Sequence, residues 1–327
     1  MNSGKFIISL DFELLWGVRD KRDIARYGDH INGGYKMLPR LLELSQKYEI
    51  KLTFASVGML FADGIEVFDK YLPALKPSYD NEVFSPYGLY MERLKADEAL
   101  DPYHFGRSLI ELIQSHPAHE IGSHTFSHYY TLEEGQTFEQ FEADLNAAIR
   151  IAKDQDIELE SLVFPRNQYA KEHLALAAKF GFRSFRGNEK AWFYQAGAYA
   201  ENSLLKRAFR LVDSYLNISG HNTTKLSDIK STKPYNIPSS RFLRSYSPSL
   251  KPLEGIRLKR IKKSMEYAAQ QGEVFHLWWH PHNFGMHQDA NLNFLEALLK
   301  HYKSLSSQYG FESLTMTALA NQLDGKA

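Results

Sequence analysis

The reading of the fold begins from Glu120-Ile121-Gly122-Ser123-His124-Thr125-Phe126-Ser127-His128. Glu120–Ser123 reads as a short strand that stops at a histidine, and a second histidine follows four residues on. Residues at i and i+4 of a helical turn share one face, about 6 Å apart. Two imidazole nitrogens so placed can hold one Zn2+ at about 2.0–2.1 Å. A pair on an arbitrary helix is more often simply solvated. A strand end is different, because catalytic groups of parallel α/β barrels sit at the C-terminal ends of their strands.

Outward from this stretch the same arrangement recurs three times. Lys5–Leu10 is an apolar run that ends in Asp11-Phe12-Glu13. Residues i and i+2 of an extended chain point the same way, and two such carboxylates repel unless a cation or proton lies between them. One can then ligate a metal while the other acts as base; the plainer alternative is two surface acids at a strand end. Phe275-His276-Leu277-Trp278-Trp279-His280-Pro281-His282 is a second apolar strand ending in histidine. His280 suits a general acid, since imidazole titrates near neutrality. His276 reads as a core histidine, and His282 as a substrate-side group or a loop residue. Val163-Phe164-Pro165-Arg166 places an arginine beyond a fourth strand, to pair with a catalytic carboxylate or to form a structural ion pair.

Between these points, strand-like and helix-like segments alternate. Strands are expected at Lys5–Leu10, Lys51–Val57, Glu120–Ser123, Leu162–Phe164, Phe182–Phe185, Val274–Trp279 and Phe311–Thr315. Helices are expected at Gly33–Tyr48, Phe105–Ser115, Phe138–Lys153, Ala170–Phe180, Ile256–Gln271, Asn291–Gln308 and Met316–Leu323. Alternation of this kind implies a parallel sheet. The expectation is an α/β fold, a distorted (β/α) barrel of about seven strands formed by residues 1–327 as one domain. The stretches near 61–103 and 187–255 break the rhythm and read as loop insertions at the barrel mouth.

Composition narrows the chemistry. The 327 residues include no cysteine, so disulfides, thiolate ligands and a cysteine nucleophile are excluded, and any metal must be held by His, Asp or Glu. The apolar run behind Met1 is too short for a signal segment or a membrane span, which points to a cytoplasmic protein. The formal net charge is zero but unevenly spread: Leu205–Lys263 carries 14 Lys and Arg against 3 Asp and Glu, a net +11. Such a field favours an anionic partner, unless it is only a solvated surface.

The order of acidic strand, His-Thr-Phe-Ser-His, strand–Pro–Arg, aromatic segment and strand–His resembles the polysaccharide deacetylase family, with its NodB-like homology domain, from Phe6 to about Leu323. Leu52-Thr53-Phe54-Ala55-Ser56-Val57-Gly58 is similar to that family's second strand. The resemblance implies a distorted barrel, a divalent metal (Zn2+ first, with Co2+, Ni2+ or Mn2+ as alternatives) and hydrolysis of an N-acetyl group on a sugar. It implies His124 and His128 as metal ligands, Asp11 as base, His280 as acid, Arg166 as the group orienting the base and Trp192 as an aromatic wall. Two motifs depart from the usual pattern. Phe12 separates the two acids that are normally adjacent, which makes Glu13 the ligand with Asp11 as the alternative. Arg166 follows its proline rather than preceding it.

The expected substrate is an acetylated, anionic saccharide, nucleotide- or lipid-linked or containing uronic acid, with Arg241, Arg244 and His282 on the substrate side and no nucleic acid as partner. Two other readings accompany it: an amidase acting on a formamide or a non-sugar amide, and an inactive carbohydrate-binding relative.

Overall fold

The computed structural model describes residues 3–198 and 203–326. Its centre is β1 (Lys5–Phe12), in which every residue is buried. Such a run of apolar residues without alternation is what a parallel strand covered on both faces requires. Around it lie β2 (Thr53–Ser56), β3 (Glu120–Ser123), β4 (Ser161–Leu162), β5 (Ser184–Phe185), β6 (Tyr235–Asn236), β7 (Arg241–Phe242), β8 (Val274–Trp279) and β9 (Glu312–Leu314). The order across the sheet is β6-β5-β4-β3-β2-β1-β8-β7, and every pairing is parallel. One edge of β1 is shared, β9 pairing along Lys5–Ile7 and β2 along Ser9–Phe12, while β8 runs along the other edge.

This is the expected distorted (β/α) barrel, with nine strands, eight of them along the path, instead of about seven. The additional strands, β6 and β7, lie inside the stretch read as a loop insertion. They are two residues long, too short to leave a periodic signature. They are also the two ends of the strand order, so the sheet curls around without pairing its own edges.

Helices cover the sheet. The Phe138–Lys153 helix begins in a capping box, where Thr137 accepts from the Gln140 backbone N–H and the Gln140 side chain accepts from that of Thr137. The Ile24–Lys47 helix starts nine residues earlier than the sequence pattern implied, with Asp23 as its N-cap. Gly28, Gly33, Gly34 and Pro39 inside it disguise the helical period. Gly33 has a packing reason: a Cβ there would lie 2.2 Å from the carbonyl oxygen of Gly285. The close approach presses the Pro281–Phe284 turn, and with it the end of β8, against this helix.

Because the strands are parallel neighbours, their C-terminal ends gather on one side of the sheet. Asp11, His124, Arg186 and His280 all lie at or just beyond such ends, of β1, β3, β5 and β8.

Candidate active site and metal centre

Glu13, His124 and His128 each offer a donor atom, all within 4.8 Å of one another, and all three residues are buried. His128 Nε2 lies 3.0 Å and His124 Nε2 3.4 Å from Glu13 Oε2. The His124 Nδ1–H donates to the Val163 carbonyl at 2.7 Å. That bond commits the Nδ1 proton and leaves the Nε2 lone pair facing the carboxylate. Two imidazole lone pairs and one carboxylate oxygen converging from three sides are the donor set of a three-ligand metal site with positions left open. The residues therefore fit a divalent ion, and the carboxylate that meets the two histidines is that of Glu13, not that of Asp11.

The histidine pair does not sit on a helical turn as the spacing suggested. Thr125 and His128 have positive φ, 62° and 57°, in a loop whose backbone is held from outside. Asp144, buried on the Phe138–Lys153 helix, accepts from the backbone N–H groups of Phe126 (2.7 Å) and Ser127 (3.1 Å) and from the Ser127 hydroxyl. Gly58 and Met59 donate to the carbonyls of Thr125 and Phe126. Thr125 Oγ1 accepts from the Tyr129 N–H at 2.8 Å. These bonds bring the rings of His124 and His128 to 5.0 Å between centroids.

Glu13 is placed by a tight turn, Trp16 N–H donating to the Glu13 carbonyl at 3.0 Å. The turn brings Gly17 against the carboxyl group so closely that a Cβ on Gly17 would lie 1.9 Å from it. Only glycine allows this carboxylate position.

Asp11 points to a different partner. Arg186 Nη1 donates to Asp11 Oδ1 at 2.6 Å and Nη2 to Oδ2 at 2.8 Å, a two-pronged pair with both residues buried. Arg186 is itself fixed: Nη1 donates to Ser9 Oγ (3.0 Å), Nη2 and Nε donate to Asn167 Oδ1 (2.9 and 3.3 Å), and its guanidinium lies 4.1 Å over the Trp278 ring. Burial alone would raise the Asp11 pKa, but Arg186, with His124 and His280 nearby, outweighs it and holds the carboxyl below its ordinary value.

The arginine paired with Asp11 is thus Arg186 and not Arg166. Arg166 adopts φ 55° beyond Pro165 and turns away from Asp11 to pair with the buried Asp20 and with Glu133 (3.4 Å), its guanidinium 3.9 Å over the Tyr130 ring. The signal for Arg186 was in the sequence: it is the residue directly after the expected strand Phe182–Phe185, and the strand-end rule applied elsewhere would have selected it. His276, read as a core histidine, is one: its Nδ1–H donates to the Ile237 carbonyl (3.0 Å), and Nε2 meets Ser9 Oγ (2.8 Å).

His280 faces both acids, its Nε2 3.7 Å from Asp11 Oδ2 and 3.6 Å from Glu13 Oε1. The Tyr27 hydroxyl donates to Asn283 Oδ1 (3.0 Å), which turns the Asn283 amide NH2 toward His280 Nδ1 (3.3 Å). With Nδ1 accepting, Nε2 carries the proton and presents it to the site. His282 is buried beside them, 3.9 Å from Glu13 Oε1, and burial lowers its pKa to about 3.

These groups open into one cavity of about 680 Å3. Its wall includes Arg166, Lys206, Arg207, Arg210 and Arg244, together with Glu189, which no sequence signal picked out. Glu189 is 4% exposed with Oε1 unpartnered, and burial raises its pKa. Two of the expected substrate residues are elsewhere. Strand alternation turns Phe242 and Arg244 to the cavity and Arg241 and Leu243 away from it, so Arg241 is buried against Asp213. Trp192 lies outside the cavity lining and is 52% exposed, packed on Phe193 and Phe209.

Comparison with known proteins agrees with this geometry. Residues 29–185 match the family model described as polysaccharide deacetylase. Among solved structures, a Mycobacterium smegmatis protein assigned as a polysaccharide deacetylase superposes with a TM-score of 0.59 at 13% identity, covering 99% of this chain and 92% of that one. A Pseudomonas aeruginosa protein with the same assignment gives 0.55 at 12% identity, covering 98% and 91%. An allantoinase gives 0.52 at 11% identity, covering 98% and 89%. At these identities the three likenesses bear on the fold alone. No curated protein matches the chain. The family match covers residues 29–185, just under half of the chain, and with the barrel and its order of strand-end motifs it makes this part of the chain similar to the polysaccharide deacetylase family.

Proposed function

We propose that the protein is a metal-dependent N-deacetylase that hydrolyses an acetamide on an anionic saccharide. The observation that carries this reading is the division of labour between two acids two residues apart, Glu13 with two histidine lone pairs and Asp11 with an arginine fork. Glu13, His124 and His128 would hold the ion. The chemistry such an ion supplies when bound is Lewis-acid stabilisation of charge on the amide oxygen.

The remaining work falls to the chain's own residues. Asp11, kept in place by Arg186, takes a proton from the water that attacks the carbonyl carbon. His280 delivers the proton on Nε2 to the amide nitrogen as the C–N bond breaks, so acetate and a free amine leave. Asn283 and Tyr27 keep the His280 ring turned for that transfer. No serine or cysteine nucleophile takes part.

The anionic substrate class is supported by Arg244. It lines the cavity, half-buried, and among the described residues its guanidinium makes no ion pair or hydrogen bond. Burial lowers its pKa, with Arg257 adding repulsion. A desolvated arginine without a counter-ion is a site for phosphate or carboxylate.

The test compares acetate release by the purified, metal-loaded protein from neutral N-acetyl sugars, from N-acetyl sugars bearing phosphate or uronic acid, and from N-formyl analogues. Faster release from the charged acetyl substrates is expected. Release from formyl but not acetyl substrates would make the protein a deformylase, and turnover of none of them with metal bound would leave an inactive binder.

A further inference from the structure

The Leu204–Asp213 helix is amphipathic in the reverse sense. Its sequence is Leu-Leu-Lys-Arg-Ala-Phe-Arg-Leu-Val-Asp. A surface helix ordinarily turns its apolar stripe to the core and its charges to water. Here Lys206, Arg207 and Arg210 line the cavity, while Leu204, Leu205 and Val212 are 79%, 58% and 45% exposed. Positions 204, 205 and 212 lie on one side of the helix, while Ala208 and Leu211 join the basic residues in the cavity wall. Trp192, packed edge-on against Phe209 at 5.3 Å, and Leu216, just past the helix end, extend the exposed apolar surface.

The orientation is fixed from within. Asp213, the last residue of the helix, is fully buried. It pairs with Arg241 and lies 3.8 Å from Arg260, and it accepts from the hydroxyls of Tyr194 (2.8 Å) and Ser219 (2.7 Å). Rolling the helix to hide its leucines would expel this carboxylate from its partners and leave buried arginines uncompensated.

The charge around the stripe says what covers it. The segment from Leu205 to Lys263 carries a net +11 in a chain whose total is zero, and Arg207, Lys251, Lys259 and Lys263 are exposed. A second copy of the chain packed here about a two-fold axis would set two such basic segments against each other. An apolar stripe within a strongly basic segment, with a tryptophan packed beside it, instead has the composition of a helix lying in the plane of an anionic lipid interface.

We propose that this helix docks the protein on an anionic phospholipid bilayer, with its apolar stripe in the interface and its cationic side roofing the cavity. The inference deepens the proposed function, on which its second half rests: the anionic saccharide enters from the membrane surface, held there by a lipid carrier.

Sedimentation of the metal-loaded protein with vesicles tests the docking. The protein should pellet with vesicles of phosphatidylglycerol mixed with phosphatidylcholine, and much less with phosphatidylcholine alone. Leu205→Glu combined with Val212→Glu should cut the bound fraction about tenfold or more, since it replaces buried aliphatic contact with charge. The same variant should keep its metal content and its acetate release from a soluble N-acetyl sugar. Wild-type protein that stays in the supernatant with anionic vesicles overturns the proposal. So does a dimer of the wild type in sedimentation equilibrium that the double substitution dissociates, since the stripe then belongs to a second copy. Vesicle binding lost in the variant, without acetate release by either protein, would uphold the docking and remove the deacetylase reading.

Discussion

Glu13 and Asp11 are two residues apart yet sit in separate electrostatic surroundings, and single substitutions separate their roles. Gly17→Ala would push a methyl group into the Glu13 carboxylate. It should weaken metal affinity by roughly 10–100-fold, the range for disturbing a group that orients a ligand, as measured by competition with a chelator; unchanged affinity would remove Glu13 from the ligand set. Arg186→Ala should lower kcat on the order of 10²–10⁴-fold, the usual contribution of a positioned base. It should also destabilise the fold by about 3–5 kcal/mol, because it leaves the Asp11 carboxylate buried and unpaired. Arg186→Lys should restore little of the rate, since lysine keeps the charge but not the fork. Arg166→Ala should reduce stability through Asp20 while kcat stays near wild type; a collapse of kcat there with metal retained would revive the sequence expectation for Arg166. At this scale the candidate residues were legible because Asp11 and His280 follow apolar runs directly, and Glu13, His124 and His128 lie within five residues of a strand end. Arg241 and Trp192 were misplaced because a local run of residues does not say which side of a two-residue strand faces the cavity.

Among the elements, the loop from His124 to His128 depends on a helix that contributes no ligand. Asp144 accepts from three donors of that loop. Asp144→Ala should therefore cost about 1–3 kcal/mol in urea unfolding by leaving buried N–H groups unsatisfied. It should also loosen the metal, with Asp144→Asn intermediate in both. Equal stability and metal affinity in Asp144→Ala would show that the tethers from Gly58 and Met59 suffice. The i, i+4 spacing of the histidines was legible but suggested a helical turn, and the two left-handed residues could not be anticipated because a distant aspartate holds them. Long apolar strands such as β1 and β8 were legible for the opposite reason: their burial on both faces writes itself as uninterrupted hydrophobic sequence. The end strands β6 and β7 and the reversed Leu204–Asp213 helix lack that record.

For the whole molecule, the neutral total charge conceals a basic segment that lines part of the same cavity as the acids at the end of β1. KM for an anionic N-acetyl saccharide should rise with ionic strength as the field is screened, while a neutral one is little affected. Arg244→Ala should raise KM for the anionic substrate about tenfold, equivalent to about 1.4 kcal/mol, and leave the neutral substrate unchanged; equal effects on both would reduce the basic wall to a solvated surface. The central claim, that Glu13 holds the metal and Asp11 acts beside it as base, is tested most directly by measuring metal content, by elemental analysis, together with acetate release in Asp11→Asn and Glu13→Gln. The account predicts that Asp11→Asn keeps its metal and loses turnover, whereas Glu13→Gln loses metal and turnover together. Metal lost from Asp11→Asn and retained by Glu13→Gln would contradict it.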